Sequence, residues 1–205
     1  MSNGSEVARR IAARSIAKRE SGYADEVRRL IDAGRLVMAG SGSGSRPRVA
    51  DIVTAAGLSN DAFYRHFRSK DDLIAAILED GTDRLCSYLA HQMGKEATAR
   101  ARFERWVGGV LSQAQVDSAA TTRAVLWNVG NVSREAMASP PSVNARLAEL
   151  LHEPLGELGS RDPVFDARLI SGATVGALSD LLWRKESPTS EDVSRIVAAC
   201  LRLVG

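Results

Sequence analysis

Asn60, Asp61, Tyr64, Arg65, His66 and Lys70 crowd amide, carboxylate, phenol, guanidinium, imidazole and ammonium groups into the stretch GLSNDAFYRHFRSKDDL, residues 57–73. None of them pairs as a nucleophile with its base. The chemistry such a set offers is recognition. An asparagine can bond two edges of adenine, an arginine can fork onto guanine, and cations and hydroxyls can meet phosphate oxygens. Phe63 and Phe67 lie four residues apart and so share one face of a helix, which puts Asn60, Asp61, Tyr64, Arg65 and Arg68 on the opposite face.

Those side chains need a short helix held at a fixed angle, and the flanking residues supply one. VADIVTAAG reads as a helix of about two turns with Val49, Ile52, Val53 and Ala56 inward. Gly57 stops it, because glycine takes the left-handed conformation common just past a helix end. Ser59 stands where its hydroxyl can cap the next helix, and Ser69 with Asp72 forms a capping-box start for a long one. Ahead of them, ADEVRRLIDAGRLVMA (residues 24–39) carries Val27, Leu30, Ile31, Leu36 and Val37 at helical spacing, and GSGSGS ends it. Two short helices joined by a tight glycine turn and braced by a third outline a helix-turn-helix, whose second helix enters the DNA major groove. On that reading Asn60 contacts adenine and Arg65 guanine. Tyr64 offers its ring to a thymine methyl or its hydroxyl to phosphate. Ser59, His66 and Lys70 position the helix on phosphates. Asp61 either accepts from a cytosine amino group or complements the helix N-terminus.

Charge supports a polyanionic partner at this end. The chain's net charge of +2 divides unevenly: residues 1–70 hold 13 Lys and Arg against 7 Asp and Glu, and the remainder holds 14 against 18. At 44% hydrophobic and 25% charged residues the 205-residue chain has the composition of a globular protein. No apolar run is long enough to span a bilayer and the first residues lack a secretory core, so a cytoplasmic location without membrane contact is expected. Cys86 and Cys200 stand far apart with no CxxC spacing, and no metal or other cofactor is signalled. His66, His91 and His152 form no HExxH pair, and neither a phosphate loop with GK[ST] nor a GxSxG elbow occurs, which leaves no basis for an enzyme.

The pattern Ile52, Ala56-Gly57, Ser59, Phe63-Tyr64, His66-Phe67 and Ser69-Lys70-Asp71-Asp72-Leu73 resembles the DNA-binding signature of the tetracycline-repressor-like (TetR) family of transcriptional regulators, and the resemblance spans residues 26–80. It implies phosphate contacts for Tyr64, His66 and Lys70. It also implies an operator in double-stranded DNA, a homodimer, and a small-molecule effector held by the C-terminal part, with repression the commoner mode. Two positions depart from the pattern. Val53 replaces the usual alanine, and Arg48 stands where a capping threonine is frequent. Arg48 therefore meets phosphate itself, or Ser45 caps an earlier start.

The expected architecture is all-α. A basic arm (1–23) is frayed or mobile, a helix-turn-helix domain covers 24–73, and a ligand-binding and dimerisation domain covers 74–205 with helices near 71–93, 97–116, 120–138, 142–158, 163–185 and 190–204. Arg9, Arg10, Arg14, Lys18 and Arg19 of the arm either track DNA or form a solvated tail. Phe103, Trp106, Trp127, Asn131 and Met137 are the candidate pocket residues, each with core packing as the plainer reading. Gly172, Ala173, Gly176 and Ala177 form a small-residue strip that admits a close helix, either from the same chain or, as the resemblance favours, from a two-fold related copy.

Overall fold

The computed structural model describes residues 3–40, 46–132 and 143–204, and every regular element among them is helical. Helix α1 (Asn3–Gly40) is followed by α2 (Val49–Ala56), α3 (Asn60–His66) and α4 (Lys70–Met93). Then come α5 (Ala99–Leu111), a single 3-10 turn (Ser112–Ala114), α6 (Val116–Val129), α7 (Val143–Glu149), α8 (His152–Glu157), α9 (Pro163–Arg184) and α10 (Ser190–Val204). None of the described helices is long and apolar enough to cross a membrane.

The helix expected over 97–116 is α5, Ala99–Leu111, followed by the 3-10 turn, and the one expected over 120–138 is α6, Val116–Val129. Two further boundaries differ from the sequence expectation for identifiable reasons. Residues 3–22 are not frayed but continue α1 as one unbroken helix. Alanine and arginine are the commonest residues of that stretch and are good helix formers, so propensity extends the helix although Val7, Ile11 and Ile16 stay exposed. The expected helix over 142–158 is two helices, with a break at Leu150–Leu151. Pro154 forces it: within a continuous helix its ring would meet the carbonyl of Leu150, whereas in the first turn of α8 its missing N–H costs nothing.

Two apolar cores result. The first joins α1, α2, α3 and the start of α4 through Leu30, Met38, Ile52, Phe63, Leu73, Ile74 and Ile77, with Ala124 of α6 closing it from the C-terminal side. The second fills the C-terminal part around Leu89, Phe103, Trp106, Leu111, Leu151 and Ile170. Helix α4 belongs to both, so the two parts share a rigid element and no linker separates them at residue 73. Its neighbours approach closely. A Cβ on Gly34 of α1 would lie 2.7 Å from Cδ1 of Ile77, and one on Gly109 of α5 would lie 2.3 Å from Cδ2 of Leu89.

Phe63 is the side chain on which the first core closes, since it is fully buried and touches the rings of Tyr64 and Phe67. Phe63→Ala is expected to lower the free energy of unfolding by about 3–5 kcal/mol, measurable as a shift of the urea midpoint followed by circular dichroism. A change below about 1 kcal/mol would show that α3 is held by other means.

Candidate nucleic-acid interface

The turn before α3 is fixed by backbone geometry. Gly57 has φ 62° and ψ 38°, in the left-handed region, and its N–H donates to the Thr54 carbonyl while the Leu58 N–H donates to Val53. Arg29 of α1 reaches across to the same end. Its Nε and Nη2 donate to the Ala56 carbonyl at 3.0 and 2.5 Å, and Nη2 also donates to the Gly57 carbonyl at 3.0 Å. A guanidinium thus satisfies carbonyls that the end of α2 leaves open.

Ser59 caps α3 by accepting from the Ala62 N–H at 3.1 Å. Along the helix Ala62 and Phe63 are buried, while Asn60, Asp61, Tyr64 and Arg65 are exposed, with Tyr64 59% accessible. Asp61 lies in the first turn, where the helix dipole favours a carboxylate. Arg68 is exposed but lies beyond the end of α3, not on its outward face. Ser69 and Asp72 form the reciprocal capping box that starts α4, at 3.1 Å in both directions, and Lys70 is the first residue of that helix. Arg48 precedes α2 with no side-chain cap, and its exposed guanidinium lies 3.5 Å from Asp51. Ser45, the other capping candidate, lies outside the described residues.

His66 does not fit the phosphate role. Its side chain is fully buried, its Nε2 lies 2.7 Å from Oε2 of Glu26, and the Tyr23 ring stands edge-on with centroids 4.0 Å apart. The helical phase already says so: His66 follows Phe63 by three and Ala62 by four, which turns it to the buried face. The same Glu26 oxygen lies 3.3 Å from Nη2 of Arg65, and the Tyr23 hydroxyl donates to the Arg65 carbonyl at 3.2 Å. Sequence reasoning missed Tyr23, Glu26 and Arg29, whose partners lie 27 to 42 residues away. The His66 hydrogen bond, helped by Arg65 and Arg29 and opposed by burial, holds the Glu26 carboxyl below its ordinary pKa. Its stabilising contribution is therefore present above the ordinary carboxylate pKa and fades as pH falls through the lower folded value.

The C-terminal candidates divide. Phe103 and Trp106 are fully buried core residues, and the Trp106 Nε1–H donates to the Leu147 carbonyl at 3.0 Å. Trp127 is half-buried on α6 and Asn131 is exposed, donating to the Trp127 carbonyl at 2.9 Å. Met137 lies outside the described residues. None of the four described residues lines the cavity of about 500 Å³ that opens between α4, α5, α6, α7 and α9. Its walls are Ile77, Leu85, Val110, Val125, Leu147 and Leu178, with Thr82, Thr121, Thr122, Tyr88 and Asp117 as polar members. Arg35 and Arg84 at its α1 side are neutralised by Asp32 and Asp80, at 2.7 and 2.9 Å for the closest pairs. The cavity walls are carried by residues at ordinary core spacing, so nothing local in the sequence separates them from core. On α9 the sites of Cβ on Gly172 and Gly176 face open space, Ala173 is exposed, and Ala177 turns toward the core. Phe165, at 62% accessible, and Trp183, at 51%, flank that strip. Among the described residues no cluster of three His, Cys, Asp or Glu could hold a metal ion.

Two short helices joined by a glycine turn, the second presenting one polar face, and fused to a larger helical body have the arrangement of a helix-turn-helix protein. Residues 46–77 match the family model of bacterial regulatory proteins, tetR family. The chain is 25% identical over 155 residues to the HTH-type transcriptional regulator BetI of Escherichia coli O157:H7, covering 75% of this chain and 78% of that one. Its fold is similar to that of E. coli NemR in its reduced form, with TM-score 0.65 and 19% identity over 88% of this chain and 98% of the other. It is also similar to the transcriptional regulator FadR of Bacillus subtilis solved in complex with stearoyl-CoA, with TM-score 0.63 and 18% identity over 86% and 96% of the two chains. The signature and the family model coincide on residues 46–77, and the fold of the whole chain is similar to that of tetR-family regulators.

The placement of His66 predicts a split between two basic residues. Lys70→Ala should lower the slope of log K against log salt for duplex binding by about 0.9. His66→Ala should leave that slope at the wild-type value and instead lower the melting temperature. Fluorescence anisotropy at several salt concentrations, with a thermal melt, checks both. A reduced slope for His66→Ala would return the imidazole to the phosphate backbone.

Proposed function

We propose that the protein is a homodimeric repressor that grips a two-fold DNA operator with two copies of α3 and lets go when a small molecule occupies the cavity beside α4. The observation that carries this reading is α3 itself, whose inner face is buried in the first core while Asn60, Asp61, Tyr64 and Arg65 stand clear. Asn60 and Arg65 read base edges. Tyr64 contacts a thymine methyl or a phosphate, and Asp61 adds a cytosine contact to its role at the helix N-terminus. Arg48, Ser59 and Lys70 hold phosphates and set the register. The protein acts in the cytoplasm, and its basic helical extension continues α1, the helix that packs against α2 and α3.

Three observations support the rest. Helix α4 begins with the capping box directly after α3 and lines the cavity from Ile77 to Tyr88, so a ligand that shifts α4 shifts the reading helix. The cavity walls are mostly apolar and both of its arginines already have counter-ions, which suits a largely apolar effector with a few hydroxyl or carbonyl groups. The open strip of Gly172, Ala173 and Gly176, between Phe165 and Trp183, leaves a helix face that a second copy would cover.

The test is selection of bound sequences from a random duplex pool, followed by sedimentation and binding of the winner. A two-fold symmetric site is expected. Ala173→Arg should give monomers and weaken operator binding by about 100-fold or more, because linked half-sites no longer act together. A variant that stays dimeric would move the interface off this strip. Failure of any duplex to bind above a nonspecific background would sink the repressor reading.

A further inference from the structure

We propose that Glu26 is a specificity-determining positioning residue: it fixes the direction in which the Arg65 side chain leaves α3, and thereby the base that Arg65 selects. This rests on the reading of Arg65 as a base-contacting residue.

An exposed arginine has four rotatable bonds and, unheld, spreads over many rotamers, so a guanidinium on a recognition helix reads one base sharply only when something restricts it. Glu26 supplies the restriction from another helix. Its Oε2 lies 3.3 Å from Nη2 of Arg65 and 2.7 Å from Nε2 of His66, so one carboxylate oxygen serves both. His66 is the fixed member of the pair, because its ring is fully buried and the Tyr23 ring stands against it. The carboxylate is therefore anchored before Arg65 reaches it. Tyr23 also donates to the Arg65 carbonyl at 3.2 Å, which ties the backbone of the same residue to α1. Arg65 is held at both ends, and only one of its five N–H donors goes to Glu26, which leaves the fork available for a base edge.

A carboxylate beside a DNA-reading helix repels phosphate and weakens binding to every sequence. Glu26 sits there half-exposed among three groups that can offset its charge, namely His66, Arg65 and Arg29. The plain alternative is a strut that only fastens α3 to α1. A strut affects stability and all sequences alike, whereas a positioning residue affects one base pair.

The experiment uses the full chain and the duplex recovered by selection, with each base pair replaced singly. Arg65→Ala, Glu26→Gln and the double variant are compared by anisotropy, and melting temperatures are recorded. Glutamine keeps an oxygen that accepts from His66 but loses the charge that holds Arg65. Arg65→Ala should abolish discrimination at one base pair, roughly 5- to 150-fold. Glu26→Gln should reduce discrimination at that same base pair several-fold and nowhere else, and the double variant should match Arg65→Ala. If Glu26→Gln melts too low for binding measurements, Glu26→Asp, which retains the charge but is one methylene short of spanning both partners, should move the same base pair. A uniform change across all duplexes, or a changed melting temperature with an unchanged base profile, overturns the inference while leaving Arg65 as a reader. No base-specific effect of Arg65→Ala overturns both.

Discussion

A helix of seven residues cannot hold itself in water, since isolated helices shorter than about 12 residues are marginal. Helix α3 is that short, and any rotation of it would turn the exposed face that carries Asn60, Tyr64 and Arg65. The rest of the N-terminal part is built around supplying what α3 lacks. Phe63 and Phe67 provide the burial, Ser59 satisfies the free N–H of Ala62 in its first turn, and Arg29 seals the carbonyl end of α2 that aims it. The Glu26–His66 pair fastens its last turn to α1. Each device acts on a different degree of freedom, which is why none is redundant with the apolar core.

The same constraint explains the sharing of α4. If the two cores met through a flexible linker, events in the C-terminal part would reach α3 only as noise. Ile74 and Ile77 lock one end of α4 under the reading helix, and Leu89 and Met93 lock the other end into the second core. The missing Cβ atoms of Gly34 and Gly109 let α1 and α5 close onto it at these two ends. A small displacement along this helix then has few ways to be absorbed other than by moving α3, because packed interiors are stiff.

Features set by neighbours in the chain were legible in the sequence, and features set across the fold were not. Gly57, the Ser59 cap, the Ser69–Asp72 box and the two phenylalanines each depend on spacings of a few residues, and residue type declares them. The partners of Glu26 and Arg29 lie on other helices, so nothing local marks them out. His66 was legible by phase and was misassigned because a basic residue in a basic stretch resembles a phosphate contact. In the C-terminal part Phe103 and Trp106 take the plainer of their two readings and fill the core, while the cavity is walled mainly by aliphatic and threonine side chains with Tyr88 its one aromatic member among the described residues. Large rings close space more often than they line it.

Arg46 shows how the two parts meet at a point as well as along a helix. It precedes α2, and its Nη2 lies 3.0 Å from Asp71 at the start of α4 and 3.1 Å from the carbonyl of Asn131, just past α6. Helix α6 carries Asp117, Thr121 and Val125 on the cavity wall and ends at this junction. Arg46 thus makes contacts that join the approach to α2, the first turn of α4 and the far end of the cavity helix. Any ligand that prefers one arrangement of α4 and α6 therefore acts on the reading helix through two routes, one apolar and one ionic. Were a ligand in the cavity to change the affinity of α3 for DNA by some factor, linkage would require DNA to change affinity at the cavity by the same factor. The short reading helix and the large helical body are for that reason one thermodynamic unit.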